Sequence, residues 1–255
     1  IESFFGSATA FCIACICSLC LSKTAAADDL GMQRDRMKEK SMIVNDRLTS
    51  YLHSLDSRES EIIEAIGREA RADRVPIIRQ ETGSLLKVLL MNKPQRILEI
   101  GTAVAYSAIL MSECLEPGAT ITTVEKYEKR IPIARENIRR AGKEDCITLI
   151  EGDALEVMAS LEPGYDFIFM DAAKGQYIHF LPEVLRLLKK GGLLVSDNVL
   201  QDGDIIESRF AVTRRNRTIY SRMRDYLWQL KHMKEFETAV LTVGDGVTIS
   251  TKLTE

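Results

Sequence analysis

From Met42 to Leu90 apolar residues recur at helical spacing, and past the "NKP" at 92–94 they gather into short runs separated by amphipathic stretches. The first part predicts a helix over Ile43–Leu55. A second runs over "SRESEIIEAIGREARAD", with Ser57 or Ser60 able to cap it, and a third extends to Leu90 with Pro76 in its first turn. Beyond them strands and helices alternate: strand Arg96–Ile100, helix Tyr106–Cys114, strand Thr120–Glu125, helix Glu128–Ala141, strand Cys146–Glu151, helix Leu155–Leu161, strand Asp166–Met170, helix Tyr177–Lys189 and strand Leu193–Ser196. The strand runs "ILEI", "FIFM" and "LLVS" are apolar at every position or nearly so, as expected where helices cover both faces of a sheet. Such alternation specifies an α/β, Rossmann-like doubly wound sheet. A helix over about Asn216–Lys231 then leads to Glu237–Val243 and Val247–Thr251, joined by "GDG", which read as a hairpin. The expected fold is a mostly parallel seven-stranded sheet ending in an antiparallel hairpin, with extra N-terminal helices.

Composition changes this picture mainly at the N-terminus. A chain of 255 residues with 45% hydrophobic content supports one main domain, placed at 42–255. Residues 1–41 read as an atypical extension outside that fold. Its apolar run Ala8–Leu21 is shorter than the roughly 20 residues of a membrane span, and with "SKTAAADD" it resembles a signal peptide. It lacks a basic leading region, and a segment upstream of the true start or a tail is the favoured reading. A cytoplasmic protein without a membrane span is therefore expected. Cys12, Cys15, Cys17 and Cys20 lie inside the apolar run without the polar spacer of a zinc ribbon, and Cys114 and Cys146 alone do not make a disulfide framework. The formal charge of −3 gives no overall basic field for nucleic acid.

Candidate chemistry sits where strands run out. Asp171 ends the "FIFM" strand, and Asp197 with Asn198 ends the "LLVS" strand. In a parallel sheet these ends share the crevice where open α/β folds bind ligands. Two carboxylates and a carboxamide make an all-oxygen site suited to Mg²⁺, Mn²⁺ or Ca²⁺ rather than zinc. At the other strand ends stand Glu99 with Gly101, then Glu125, then "EGDAL" with Gly152, Asp153 and Ala154. The first of these loops has a single glycine where a dinucleotide fingerprint needs three. Glu125 is placed to accept from ribose hydroxyls and Asp153 from an adenine amino group, although each acid can equally be a helix cap or a solvated loop residue. Together the succession reads as a site for S-adenosylmethionine.

The segments "ILEIGTAVAYSAI", "EGDAL", "DAAKGQY", "SDNVL" and "VGDGVTIS" resemble the cation-dependent O-methyltransferases of the caffeoyl-CoA and catechol type, from about Met42 onward. Within that family the chain is most similar to the bacterial branch that methylates 5-hydroxyuridine in tRNA. The resemblance implies that Asp171, Asp197 and Asn198 hold Mg²⁺, and that Ile78, Glu99, Ser107, Glu125, Asp153, Ala154 and Asp171 line the cofactor pocket. It also implies a homodimer. Relatives commonly carry Gly where this chain has Ala105.

Methyl transfer to oxygen needs a deprotonated, aligned acceptor. A cation chelating two neighbouring acceptor oxygens supplies both requirements, and catechols and 5-hydroxyuridine each present such a pair. Lys174 is the candidate for accepting or orienting the hydroxyl proton, since a nearby cation disfavours its ammonium form. Tyr177 either packs on the cofactor or only begins a helix. His53, His179 and His232 show no metal spacing. From Ser208 to Arg224 there are six arginines and no acid. That stretch is either a solvated helix face or a footprint for phosphates, with Arg214, Arg215 and Arg217 as the expected RNA contacts. A tRNA anticodon loop is the expected substrate, and a small catechol the alternative.

Overall fold

The computed structural model describes residues 46–255. The four N-terminal cysteines, the expected extension over 1–41 and the first residues of the first helix lie outside the described residues.

Three helices lead in: α1 (Asp46–Leu55), α2 (Glu61–Ala72) and α3 (Gln80–Leu90). The alternating part follows as β1 (Arg96–Ile100), α4 (Tyr106–Ser112), β2 (Thr120–Glu125), α5 (Ile131–Arg140), β3 (Ile147–Glu151), α6 (Ala154–Ser160), β4 (Tyr165–Met170), α7 (Tyr177–Leu187) and β5 (Leu188–Ser196). Then come α8 (Arg217–His232), β6 (Phe236–Leu241) and β7 (Val247–Lys252). Short 3₁₀ turns at Lys174–Gln176 and Gln201–Ile206 follow β4 and β5. The sheet order is β3-β2-β1-β4-β5-β7-β6. Strands β1 to β5 are parallel, and β7 runs antiparallel to both β5 and β6. The expected doubly wound sheet with its terminal hairpin is what forms. Its order reverses between β1 and β4, which puts the ligand crevice at their carboxyl ends.

Strand alternation divides the core into two layers. Ile97, Phe167, Phe169 and Val195 face α2, α3 and α4 through Ile63, Ile66, Leu86, Leu90 and Ile109. Leu98, Ile100, Ile168, Met170 and Leu194 face α7 and α8 through Tyr177, Leu181, Val184, Tyr226 and Leu230. Burial on both faces is why these strands lack polar alternation.

Most boundaries shift by one or two residues from the sequence expectation, and three starts shift further. Helix α3 begins at Gln80, because the chain at Arg79 is still extended and Pro76 and Ile77 line a cleft. Helix α5 begins at Ile131, with Pro132 in its first turn. Strand β5 starts at Leu188, which pairs with Tyr165 across a register irregularity; the polar "KKGG" conceals this part of the strand from a hydrophobicity reading. Ser60 does occupy the cap position of α2, but its hydroxyl donates to Glu113 instead of the helix. Cys114 and Cys146 are free thiols, and among the described residues no helix is long and apolar enough to cross a membrane.

Candidate active site at the strand ends

A cleft of about 600 Å³ opens along the carboxyl ends of the parallel strands. Ile100 and Gly101 enter it from β1, and Val124 and Glu125 from β2. Gly152 to Leu155 come from the turn after β3, Asp171 to Lys174 from the turn after β4, and Asn198 from the end of β5. Of the residues expected to hold the cofactor, Gly101, Glu125, Gly152, Asp153, Ala154 and Asp171 therefore share one wall. Gly101 takes φ +105°, and a Cβ there would collide with the carbonyl oxygen of Asp171. Its bare α-carbon lets the ends of β1 and β4 close together.

Two of these acids are already engaged. Glu125 accepts from the backbone N–H of Ala103 at 2.8 Å, of Lys126 at 3.0 Å and of Tyr127 at 2.8 Å, so it also folds the loops around it. Asp153 caps α6 by accepting from the N–H of Leu155 at 3.0 Å, and its other oxygen meets Lys126 at 3.2 Å. The Leu155 bond foremost holds its carboxyl below the usual range. Both residues thus combine the helix-cap or loop role with a place on the cleft wall.

Ile78, Glu99 and Ser107 are not on that wall. In the extended segment before α3, Ile77 and Arg79 face the cleft and Ile78 turns inward, as successive side chains of extended backbone must. Glu99 is fully buried, accepting from the hydroxyls of Ser107 and Thr123. Burial raises its carboxyl to about 7 despite those two bonds. It ties the first turn of α4 to β2 beneath the loop that follows β1. The same loop carries Ala105 at φ +65°, a left-handed conformation that favours glycine, and Asn137 holds it by donating to the carbonyl of Val104 at 2.9 Å.

The expected metal residues converge at the other end. Asp197 is completely buried; its Oδ1 accepts from the N–H of Asn198 at 2.8 Å and meets Thr82 Oγ1 at 3.5 Å, while Oδ2 has no hydrogen-bond partner. Burial, reinforced by the charge of Asp171, raises its carboxyl to about 7. Burial also raises Asp171, against the opposing charge of Lys174. The Lys174 ammonium donates to Asn198 Oδ1 at 2.7 Å and lies 3.8 Å from Asp171 Oδ1. Asn198 itself adopts φ +57°. A buried carboxylate oxygen without a hydrogen-bond partner, a second carboxylate whose charge acts on it, and the carboxamide of the next residue are a donor set that fits a hard divalent cation.

Hairpin and helix contacts that no sequence motif signals complete this end. Val199 N–H donates to Gly246 and Leu200 N–H to Asp245, each at 3.0 Å, so the "GDG" turn clamps the chain leaving Asn198. A Cβ on Gly246 would strike the Leu200 side chain. Thr82, on α3, and Tyr177, the first residue of α7, reach Asp197 from elements far off in sequence.

The arginine stretch divides in two. Arg217 donates to the carbonyl of Val212 at 3.2 Å, Arg222 to Gly175 at 3.0 Å and Arg224 to Ile205 at 2.8 Å. These three tie the segment after β5 and the turn after β4 to α8. Arg209, Arg214 and Arg215 point to solvent. Of the expected RNA contacts, Arg214 and Arg215 are exposed and Arg217 is partly spent inside the fold.

Comparison with known proteins bears on this arrangement. The sequence model of a family described as O-methyltransferase matches residues 53–253. A caffeoyl-CoA O-methyltransferase of Populus trichocarpa is 30% identical over 84% of this chain and 92% of its own. A catechol O-methyltransferase of Niastella koreensis is 35% identical over 49% of this chain and 59% of its own. Among solved structures, an SAH-bound methyltransferase of Podospora anserina superposes with a TM-score of 0.75 at 27% identity, over 82% of this chain and 95% of that one.

Proposed function

The chain belongs to the O-methyltransferase family, and from that premise we propose that it moves a methyl group from S-adenosylmethionine to the 5-hydroxyl of 5-hydroxyuridine in a tRNA anticodon loop, with Mg²⁺ in attendance. The observation that carries the reading is the donor set in which Asp171 and Asn198 line the same cleft as Glu125 and Asp153, with the partnerless carboxylate oxygen of Asp197 buried directly beside Asn198 in the chain. When bound, the sulfonium cofactor supplies the methyl group, and the cation lowers the pKa of an acceptor hydroxyl.

The chain's own residues account for the rest. Glu125, held by three backbone N–H groups, presents a fixed carboxylate toward ribose hydroxyls. Asp153, also fixed as a cap, would accept from the adenine amino group. Asp171, Asp197 and Asn198 would hold the cation, with Mn²⁺ or Ca²⁺ as chemically similar occupants. Lys174, within reach of Asn198 and Asp171, would accept or orient the proton leaving the acceptor. The solvent-facing Arg209, Arg214 and Arg215 support contact with RNA phosphates. A splayed, unstacked base is the form in which a uridine of an anticodon loop could enter such a cleft.

A second reading, methylation of a small catechol-like phenol, draws on the caffeoyl-CoA and catechol relatives and on the three arginines already bonded to backbone carbonyls. Mass spectrometry of tRNA nucleosides from a deletion strain separates the two. Accumulated 5-hydroxyuridine with lost 5-methoxyuridine is the expected result. Unchanged nucleosides, together with label transfer confined to a catechol, would overturn the tRNA reading.

A further inference from the structure

The two carboxylates that would hold the cation sit on separate strands, and their separation has to be enforced. The N–H of Asp197 donates to the carbonyl of Met170 at 3.0 Å. Past that bond the two chains part: Asp171 leads into the turn before α7, and Asn198 turns away toward Gly246. When both are ionised, Asp171 and Asp197 repel each other just where the ladder ends.

Tyr177 lies across this gap. Its ring is fully buried, and its hydroxyl is 3.1 Å from the carbonyl of Met170 and 3.0 Å from the carbonyl of Asp197. Both partners are acceptors, so the single phenolic proton is shared between the residue preceding Asp171 and Asp197 itself. The ring is held edge-on against Tyr226, with centroids 5.5 Å apart, and the Tyr226 hydroxyl pairs with Ser196 at 2.6 Å. The two tyrosines are alike in burial and in having a bonded hydroxyl. Of the two, Tyr177 alone bridges the strand ends that would hold the cation.

We propose that Tyr177 is a positioning residue whose hydroxyl fixes the gap between Asp171 and Asp197, and so sets the affinity of the site for a divalent cation. The inference rests on the metal reading given above. It assigns Tyr177 a task other than contact with cofactor or a helix start, and it makes Tyr226 its natural control.

The test compares the full-length protein with Tyr177→Phe and Tyr226→Phe. Mn²⁺ binding is followed by electron paramagnetic resonance, S-adenosylhomocysteine binding by calorimetry, and folding by melting in EDTA. Tyr177→Phe is expected to weaken Mn²⁺ binding by about 10- to 100-fold, the usual cost of removing a partner behind the metal ligands. Its S-adenosylhomocysteine affinity should hold, and raised Mg²⁺ should restore methyl transfer. Tyr226→Phe should lower the melting temperature similarly and leave Mn²⁺ affinity intact. Unchanged Mn²⁺ binding in Tyr177→Phe, or an equal loss in Tyr226→Phe, overturns the inference while the metal reading stands. Wild-type protein that binds S-adenosylhomocysteine but no Mn²⁺ overturns both.

Discussion

The Lys174 ammonium donates to the side-chain oxygen of Asn198 at 2.7 Å, so the expected proton acceptor and an expected metal ligand are paired with each other. A cation held by Asn198 would share that oxygen with the ammonium and so would sit beside a like charge. Removing the lysine should therefore separate binding from chemistry. Lys174→Met is expected to bind Mn²⁺ at least as tightly as wild type, with kcat lower by about 10²- to 10⁴-fold, the typical worth of a general acid or base. Titration of Mn²⁺ beside single-turnover kinetics checks it; parallel losses in both would remove Lys174 from the proton path.

The buried acids give the metal-free protein a pH signature. Glu99 and Asp197 both have folded-state values of about 7, above the ordinary 4.5 and 3.8. A raised acid contributes stability that is fully present below its unfolded value and is lost as pH climbs to the folded one. Shifts of this size correspond to roughly 3–4 kcal/mol each. The loss should fall between about pH 4 and 7, and urea melts in EDTA can trace it. Glu99→Gln and Asp197→Asn should each flatten part of the slope. Mg²⁺ should stabilise wild type more at about pH 8 than at about pH 5 by competing with the Asp197 proton. It should do the same for Glu99→Gln and nothing for Asp197→Asn.

Exposed and tethered arginines should behave differently. Replacing Arg214 and Arg215 by Ala is expected to leave melting unchanged and to weaken tRNA binding. The log–log dependence of that binding on salt should become shallower by about one unit for each phosphate no longer neutralised. Arg222→Ala, which frees the Gly175 carbonyl, should instead cost about 1–2 kcal/mol of stability and lower kcat through the neighbouring Lys174. Filter binding at several salt concentrations and thermal melts tell the two classes apart.

Gly101→Ala tests the close approach of β1 and β4. The added methyl meets the carbonyl of Asp171, which is backbone and cannot step aside cheaply. Destabilisation of at least about 2 kcal/mol is expected, together with a sharp drop in S-adenosylhomocysteine affinity by calorimetry. Full cofactor affinity in this variant would mean that the loop tolerates the strain.

Much of this was legible from periodicity. The strands "ILEI", "FIFM" and "LLVS" are sandwiched between helices, so burial wrote itself into the sequence as unbroken apolar runs, and the residue after each run marked the crevice. What stayed hidden depends on which side a residue faces or on contacts between distant segments. Ile78 and Glu99 sit one position from residues on the cleft wall, a distinction that spacing alone cannot make for residues buried either way. Arg217, Arg222 and Arg224 look like Arg214 in a sequence, and only the carbonyls they reach set them apart. Thr82 and Tyr177 acquire their places at Asp197 from packing of α3 and α7 onto the sheet.

The clamp of the "GDG" turn on Val199 and Leu200 also fixes an order of events during synthesis. Asp171, Asp197 and Asn198 leave the ribosome before β7, which must still insert between β5 and β6 to bring Gly246 and Asp245 into place. A nascent chain can therefore carry every proposed ligand and still lack the shape that would bind one. On the proposed metal reading, cation capture would then be a late maturation step, and a chain stalled before residue 244 should be an inert methyltransferase with its Rossmann half already folded.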